Sequence, residues 1–216
     1  MRRVGGVKFR DTRCIIDTVT REYRKKKRAE QEDETRSRIV EATIELHRTI
    51  GPAATTVSEI AERAGVGRVT VYRHFPDEPT LSRACSGLYM QRNPLPDPDR
   101  WLAIPDPADR LQSALAEVYA YHRRNEAMFS HVLADARDHE VMRPYHAHWE
   151  RAADVLVAPW RVRGRRRALL RAAIGLAVSF DTWRTLAQDH GLTDGHAVEV
   201  ALRLVCDSPT GRARLS

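Results

Sequence analysis

Arg68, Val69, Thr70, Tyr72, Arg73 and His74 fall within seven residues, interleaved with Val71 and followed by Phe75 four positions beyond it. On a helix that spacing turns Val71 and Phe75 to one face and leaves the other six side chains outside it. The six are a mixture suited to reading a nucleic acid. Arginine pairs with guanine O6 and N7, a valine or threonine methyl meets the thymine methyl, and tyrosine, threonine or histidine reaches phosphate oxygens. A plain three-helix packing unit would show the same polar face. A second set, Phe129, Tyr145, Trp149, Phe180 and Trp183, has the character of a lining for a largely apolar small molecule, although aromatics at helical spacing are more often ordinary core.

Other chemistries find little support. His131, His139, His146 and His148 match no metal-ligand spacing, and Cys14, Cys85 and Cys206 lie too far apart for a zinc ribbon or a disulfide framework. There is no glycine-rich phosphate loop, no His-Glu-x-x-His and no nucleophile elbow. The expectation is a protein without enzymatic activity, metal or cofactor.

The elements that position these residues read as helix almost throughout. Ile39, Ala42, Leu46 and Ile50 recur at spacings of three or four, and Gly51-Pro52 ends that stretch. Thr56 and Glu59 have capping-box spacing ahead of a helix over 57–64. Gly65-Val66-Gly67 makes a turn, and a third helix covers 68–75. Two short helices joined by a three-residue turn containing glycine have the dimensions of a helix-turn-helix. A connecting helix to about residue 90 completes a unit over 35–90. Five prolines within 93–107 mark a linker over 91–107. Beyond it, 108–208 carries amphipathic stripes, one of them Leu111, Leu115 and Val118. Residues 169–186 read as one helix apolar on several sides, which needs more than one neighbour to bury it. No alternating strand pattern is present, so the fold is expected to be all-α: an N-terminal helix-turn-helix domain and a C-terminal helical domain.

The stretch Thr55 to Phe75, with Ile60-Ala61, Ala64-Gly65-Val66 and Tyr72-Arg73-His74-Phe75-Pro76, resembles the N-terminal domain of tetracycline-repressor-type (TetR-family) transcriptional regulators. The resemblance covers about 35–90. It implies that Arg68, Val69, Thr70, Tyr72, Arg73 and His74 touch DNA and that Thr56 meets phosphate at a helix start. The family usually places a phosphate-binding lysine soon after the phenylalanine; here Glu78 occupies that position, where an anion repels phosphate. The resemblance further implies a C-terminal domain that binds a small effector and forms the dimer. The apolar residues Leu170, Ile174, Val178, Phe180, Val198 and Leu204 suit such an interface, and a monomeric core as well. The function so implied is a ligand-responsive homodimeric repressor, binding a palindromic double-stranded operator through helix 68–75 and released by an effector. The alternative is a constitutive or architectural DNA-binding protein with no effector.

Composition agrees with a nucleic-acid partner. The 216 residues carry a formal net charge of +7. Residues 1–28 alone hold 11 Lys/Arg against Asp11, Asp17 and Glu22, so the excess belongs to a basic segment over 1–34, expected to be a flexible arm. It reads as a solvated tail, a DNA-contacting arm, or a stretch ahead of a start that lies further downstream. No apolar run approaches the ~20 residues of a membrane span, and Met1 to Arg10 lacks a secretory signal's apolar stretch. A cytoplasmic location is the expectation.

Overall fold

The computed structural model describes residues 12–207, and among them every regular element is helical. Four helices make the N-terminal part: α1 (Thr12–Thr49), α2 (Val57–Ala64), α3 (Arg68–His74) and α4 (Glu78–Arg92). A single turn, α5 (Pro98–Trp101), leads to α6 (Pro107–Arg124), α7 (Glu126–Asp135), α8 (Arg143–Val157), α9 (Gly164–Ala177), α10 (Phe180–Arg184) and α11 (Asp194–Cys206). The all-α architecture with an N-terminal helix-turn-helix is as expected.

Three boundaries differ from the sequence-based expectation, each for a physical reason. α1 does not begin near residue 35: from Thr12 the expected flexible arm is helix continuous with the rest, while residues 1–11 lie outside the described residues. Between 12 and 49 there is neither glycine nor proline, and the exposed stretch 22–34 is rich in the strong helix formers Arg, Lys, Glu and Gln. The proline-rich stretch, expected to resist regular structure, is pinned. Trp101 is buried with its Nε1–H on Glu117 (3.2 Å), and the buried Arg110 guanidinium donates to the carbonyls of Leu102, Ile104 and Val155. The single helix expected over 169–186 breaks after Ala177, where Ser179 caps α10 by accepting from the Thr182 amide (3.2 Å).

Two hydrophobic cores result. Ile39, Leu46, Ile60, Val71, Phe75 and Leu81 centre the smaller one. The larger gathers α6 to α11 around Leu111, Leu115, Leu156, Leu170, Ile174 and Trp183. Ile44 of α1 packs against both. Two polar clamps also join the halves. Tyr89 of α4 donates its hydroxyl proton to Asn125 Oδ1 (2.6 Å) at the α6–α7 junction, and Asp135, the last residue of α7, accepts the Ala53 amide (3.0 Å) in the α1–α2 turn. Gly51 makes the second clamp possible. Its φ is +87°, and a Cβ there would stand 2.6 Å from Asp135 Oδ2.

Candidate functional site

The helix-turn-helix is assembled from local caps and two long arginines. At the start of α2 the Glu59 amide donates to Thr56 Oγ1 (3.3 Å), while the Thr56 amide and hydroxyl both donate to Glu59 Oε2 (2.8 Å each). The bond from the Thr56 hydroxyl holds the Glu59 carboxyl below its usual range. Thr56 is thus exposed, but the hydroxyl assigned to phosphate has its proton engaged inside the cap.

Gly65 takes the left-handed conformation (φ +65°) that ends α2, with the Val66 amide closing on the Ala61 carbonyl (2.9 Å). Arg38 of α1 donates to the carbonyl of Ala64 (3.2 Å) at the same end. Two residues earlier on α1, Arg36 donates to the His74 carbonyl (3.0 Å), and its guanidinium lies 4.2 Å from the Phe75 ring centroid. α1 therefore fastens the C-terminal ends of both helix-turn-helix helices. Neither arginine stood out in the sequence, because nothing local links them to carbonyls 26 and 38 residues away.

With its back fixed by buried Val71 and Phe75, α3 presents the expected residues in two classes. Arg68, Val69, Tyr72 and Arg73 are exposed, Val69 at 83% and Tyr72 at 55%. Thr70 and His74 are half-buried, and His74 Nε2 is buried with no hydrogen-bond partner. Beyond α3, Asp77 caps α4 by accepting the Thr80 amide (2.7 Å), and Glu78 stands in the first turn. An acid there is favoured by the helix dipole, which explains the residue without a phosphate contact.

In the larger core the five aromatics expected to line a pocket do come together. Phe129 lies 5.5 Å from Tyr145 and 5.7 Å from Phe180, Tyr145 lies 5.9 Å from Trp149, and Phe180 lies 5.5 Å from Trp183, centroid to centroid. Their hub is a residue that no sequence motif singled out, His122 of α6. It is fully buried, with Trp149 and Phe180 both at 5.6 Å and Trp183 at 6.1 Å. Burial pulls its pKa down to about 4, so the ring is neutral. A signal was available, since His122 continues the stripe of Leu111, Leu115 and Val118 at helical spacing. Structurally it serves the α9–α10 break: His122 Nε2 lies 3.0 Å from the Val178 carbonyl, and the Tyr119 hydroxyl donates to that of Ala177 (2.9 Å).

The residues expected at a subunit interface divide. Leu170, Ile174, Val178, Phe180 and Val198 are buried within the chain's own core, where the close neighbours α6, α8 and α11 absorb the apolar surplus. Leu204 is exposed, and the other exposed leucines of this region are Leu169 and Leu176, seven residues apart on α9. Among the described residues no cluster of His, Cys, Asp or Glu can hold a metal ion, and no helix is long and apolar enough to cross a membrane.

Residues 39–81 match the family model described as bacterial regulatory proteins, tetR family. No curated protein matches the chain. Among solved structures, a TetR-like transcriptional regulator from Rhodococcus sp. RHA1 shares the fold with a TM-score of 0.58 at 15% identity, covering 79% of this chain and 93% of that one. A putative fatty acid metabolism regulator of Clostridium perfringens aligns with a TM-score of 0.54 at 18% identity, over 78% of this chain and 96% of the other. NalD, the secondary repressor of the MexAB-OprM multidrug efflux pump in Pseudomonas aeruginosa, aligns at 0.50 and 22%, over 85% and 96%.

Proposed function

We propose that this chain, whose residues 39–81 match the family model of bacterial regulatory proteins, tetR family, is a ligand-responsive, dimeric transcriptional repressor. In this reading α3 enters the major groove of a palindromic operator. Arg68, Val69, Thr70, Tyr72, Arg73 and His74 form its contact surface, with Thr56 at the edge. The observation that carries the reading is the exposed face of α3 held from behind by Arg36, Phe75 and Val71. A valine 83% exposed on so well fixed a helix suits contact with a thymine methyl.

Two reading heads must stand about 34–36 Å apart to meet successive major grooves on one side of the duplex. The exposed apolar stripe of Leu169 and Leu176 on α9, with Leu204 on α11, supports a self-complementary face that would fix that separation. An effector would occupy the region of Phe129, Tyr145, Trp149, Phe180 and Trp183 and favour the arrangement with misplaced heads, a preference typically worth about 1–3 kcal/mol. α7 is suited to relay it, because Phe129 stands in the cage while Asn125 and Asp135, at the two ends, clamp α4 and the α1–α2 turn.

A gel-shift with duplex DNA from upstream of the protein's own gene tests the proposal. Retardation that survives excess random duplex is expected, with protection of two half-sites. Binding to operator and random DNA alike would remove the sequence-specific repressor and leave an architectural protein.

A further inference from the structure

The cage around His122 has a polarity that selects its ligand, an inference resting on the reading that the C-terminal domain receives an effector. A carbonyl oxygen only accepts, so the contact between His122 Nε2 and the Val178 carbonyl places the proton on Nε2. The other ring nitrogen, Nδ1, then carries a bare lone pair. It is buried without a partner, and so are the hydroxyl of Tyr121, the preceding residue, whose ring centroid lies 6.0 Å away, and the Nε1–H of Trp149, a donor that a phenolic oxygen can meet. Stranded polar atoms inside an aromatic wall lower stability, and a bound donor relieves that.

Two arginines beside the wall are already paired with carboxylates of the chain and so are not free for an anionic ligand. Arg123, 5.5 Å from the Trp183 ring centroid, is held by both carboxylate oxygens of Asp194 (2.7 and 2.8 Å). Arg137 pairs with Asp181 at 2.6 Å. Steep ring-to-ring angles, 77° for Phe129 with Phe180 and 83° for His122 with Phe180, present edges and faces in the arrangement a further aromatic ring prefers.

We propose that this cage binds a neutral, planar aromatic molecule bearing a hydrogen-bond donor such as a phenolic hydroxyl, the donor being received by Nδ1 of His122. Tyr121 offers a second polar contact. The ligand enters by displacing side chains of the cage, whose rings are otherwise in mutual contact.

Equilibrium dialysis of the full chain at pH 7.5 against 2-naphthol, 2-methoxynaphthalene and 2-naphthoate tests this. 2-Naphthol should bind about tenfold more tightly than either of the others, the methoxy compound lacking the donor and the naphthoate carrying a charge. His122→Phe should bring 2-naphthol and 2-methoxynaphthalene to within about twofold of each other. The comparison of ligands on the unaltered chain stands even if that variant fails to fold. Equal binding of the first two compounds, tightest binding of the naphthoate, or binding of none of them overturns the assignment, the last leaving trapped water as the donor to Nδ1. A chain that shows the stated preference without sequence-specific DNA retardation keeps this site and loses the repressor reading; the converse result loses only this site.

Discussion

The neutrality of His122 makes a quantitative prediction about acid stability. In the unfolded chain the ring titrates near 6.5, whereas burial lowers its folded value to about 4, with the Val178 carbonyl and Asp181 of α10 opposing the shift. Above pH 6.5 both states are neutral at this site, and the group contributes nothing to the pH dependence. As pH falls below 6.5 the unfolded chain takes up a proton that the folded chain refuses, so stability declines by about 1.4 kcal/mol per pH unit. The decline ends near pH 4, where the folded ring also protonates, after a total of about 3 kcal/mol. His122→Phe keeps a ring in the cage and removes the titration, at the cost of the bond to Val178. Urea unfolding of both chains between pH 7.5 and 4, at one protein concentration because dimerisation would shift apparent stability, measures the difference. The variant should begin less stable and decline less on acidification, so the two curves converge. Carboxylates whose pKa lies low, such as Asp194 and Asp154, act on both chains and cancel. Parallel curves would mean that the folded ring accepts a proton readily, and the acceptor at Nδ1 would go with it.

Four further perturbations address the remaining claims. Gly51→Ala places a Cβ at positive φ and against Asp135, and should destabilise the chain by about 2 kcal/mol in thermal or urea unfolding; an unchanged midpoint would dissolve the α7 clamp. Arg68→Ala should weaken operator binding by about 1–3 kcal/mol if the arginine pairs with guanine, while the same affinity in a folded variant takes Arg68 off the reading surface. Leu176→Glu sets like charges across a self-complementary face and should give monomers in sedimentation at micromolar concentration; persistent dimers would place the interface elsewhere. A chain beginning at Glu30 lacks Arg24 to Arg28, and its DNA affinity should show a salt slope shallower by about 0.9 for each phosphate those side chains neutralise, whereas identical slopes would make the basic end of α1 passive toward DNA.

How much was legible depended on whether the cause was local. The helix-turn-helix could be read because its determinants lie a few residues apart: the Thr56–Glu59 box, Gly65 at the left-handed cap, Val71 and Phe75 on one face. The first half of α1 could not be read by periodicity, since residues 22–34 are exposed on every side and leave no apolar face to count. The break after Ala177 was hidden for the opposite reason. Apolar residues run through it, and the carbonyls it frees are taken by Tyr119 and His122, more than fifty residues earlier. The cage aromatics were nameable one by one, but their common centre was a histidine, a type whose burial no spacing rule announces. Arg36 and Arg38 illustrate the same limit, because their partners are backbone carbonyls that carry no residue signature.

These long-range contacts bear on how a signal would travel. α6 carries His122 and Tyr121 in the cage and is capped by Asn125, whose side-chain amide also donates to the Tyr121 carbonyl (2.8 Å). The same Asn125 receives Tyr89 of α4, so a shift of Tyr121 toward a ligand has a direct hydrogen-bonded route to the helix that follows the reading head. Asn125 is buried, so its carbonyl oxygen has no water to replace Tyr89 if the bond opens. The contact therefore favours staying made, and α4 would follow the α6–α7 junction instead of parting from it. Asp135 behaves differently, since its carboxylate is exposed and water can take the place of the Ala53 amide. A displacement of α7 would thus be transmitted at its N-terminal end through Tyr89, and because Arg92 of α4 pairs with Glu41 of α1 while Arg36 of α1 holds the His74 carbonyl, α1, α3 and α4 would follow it together.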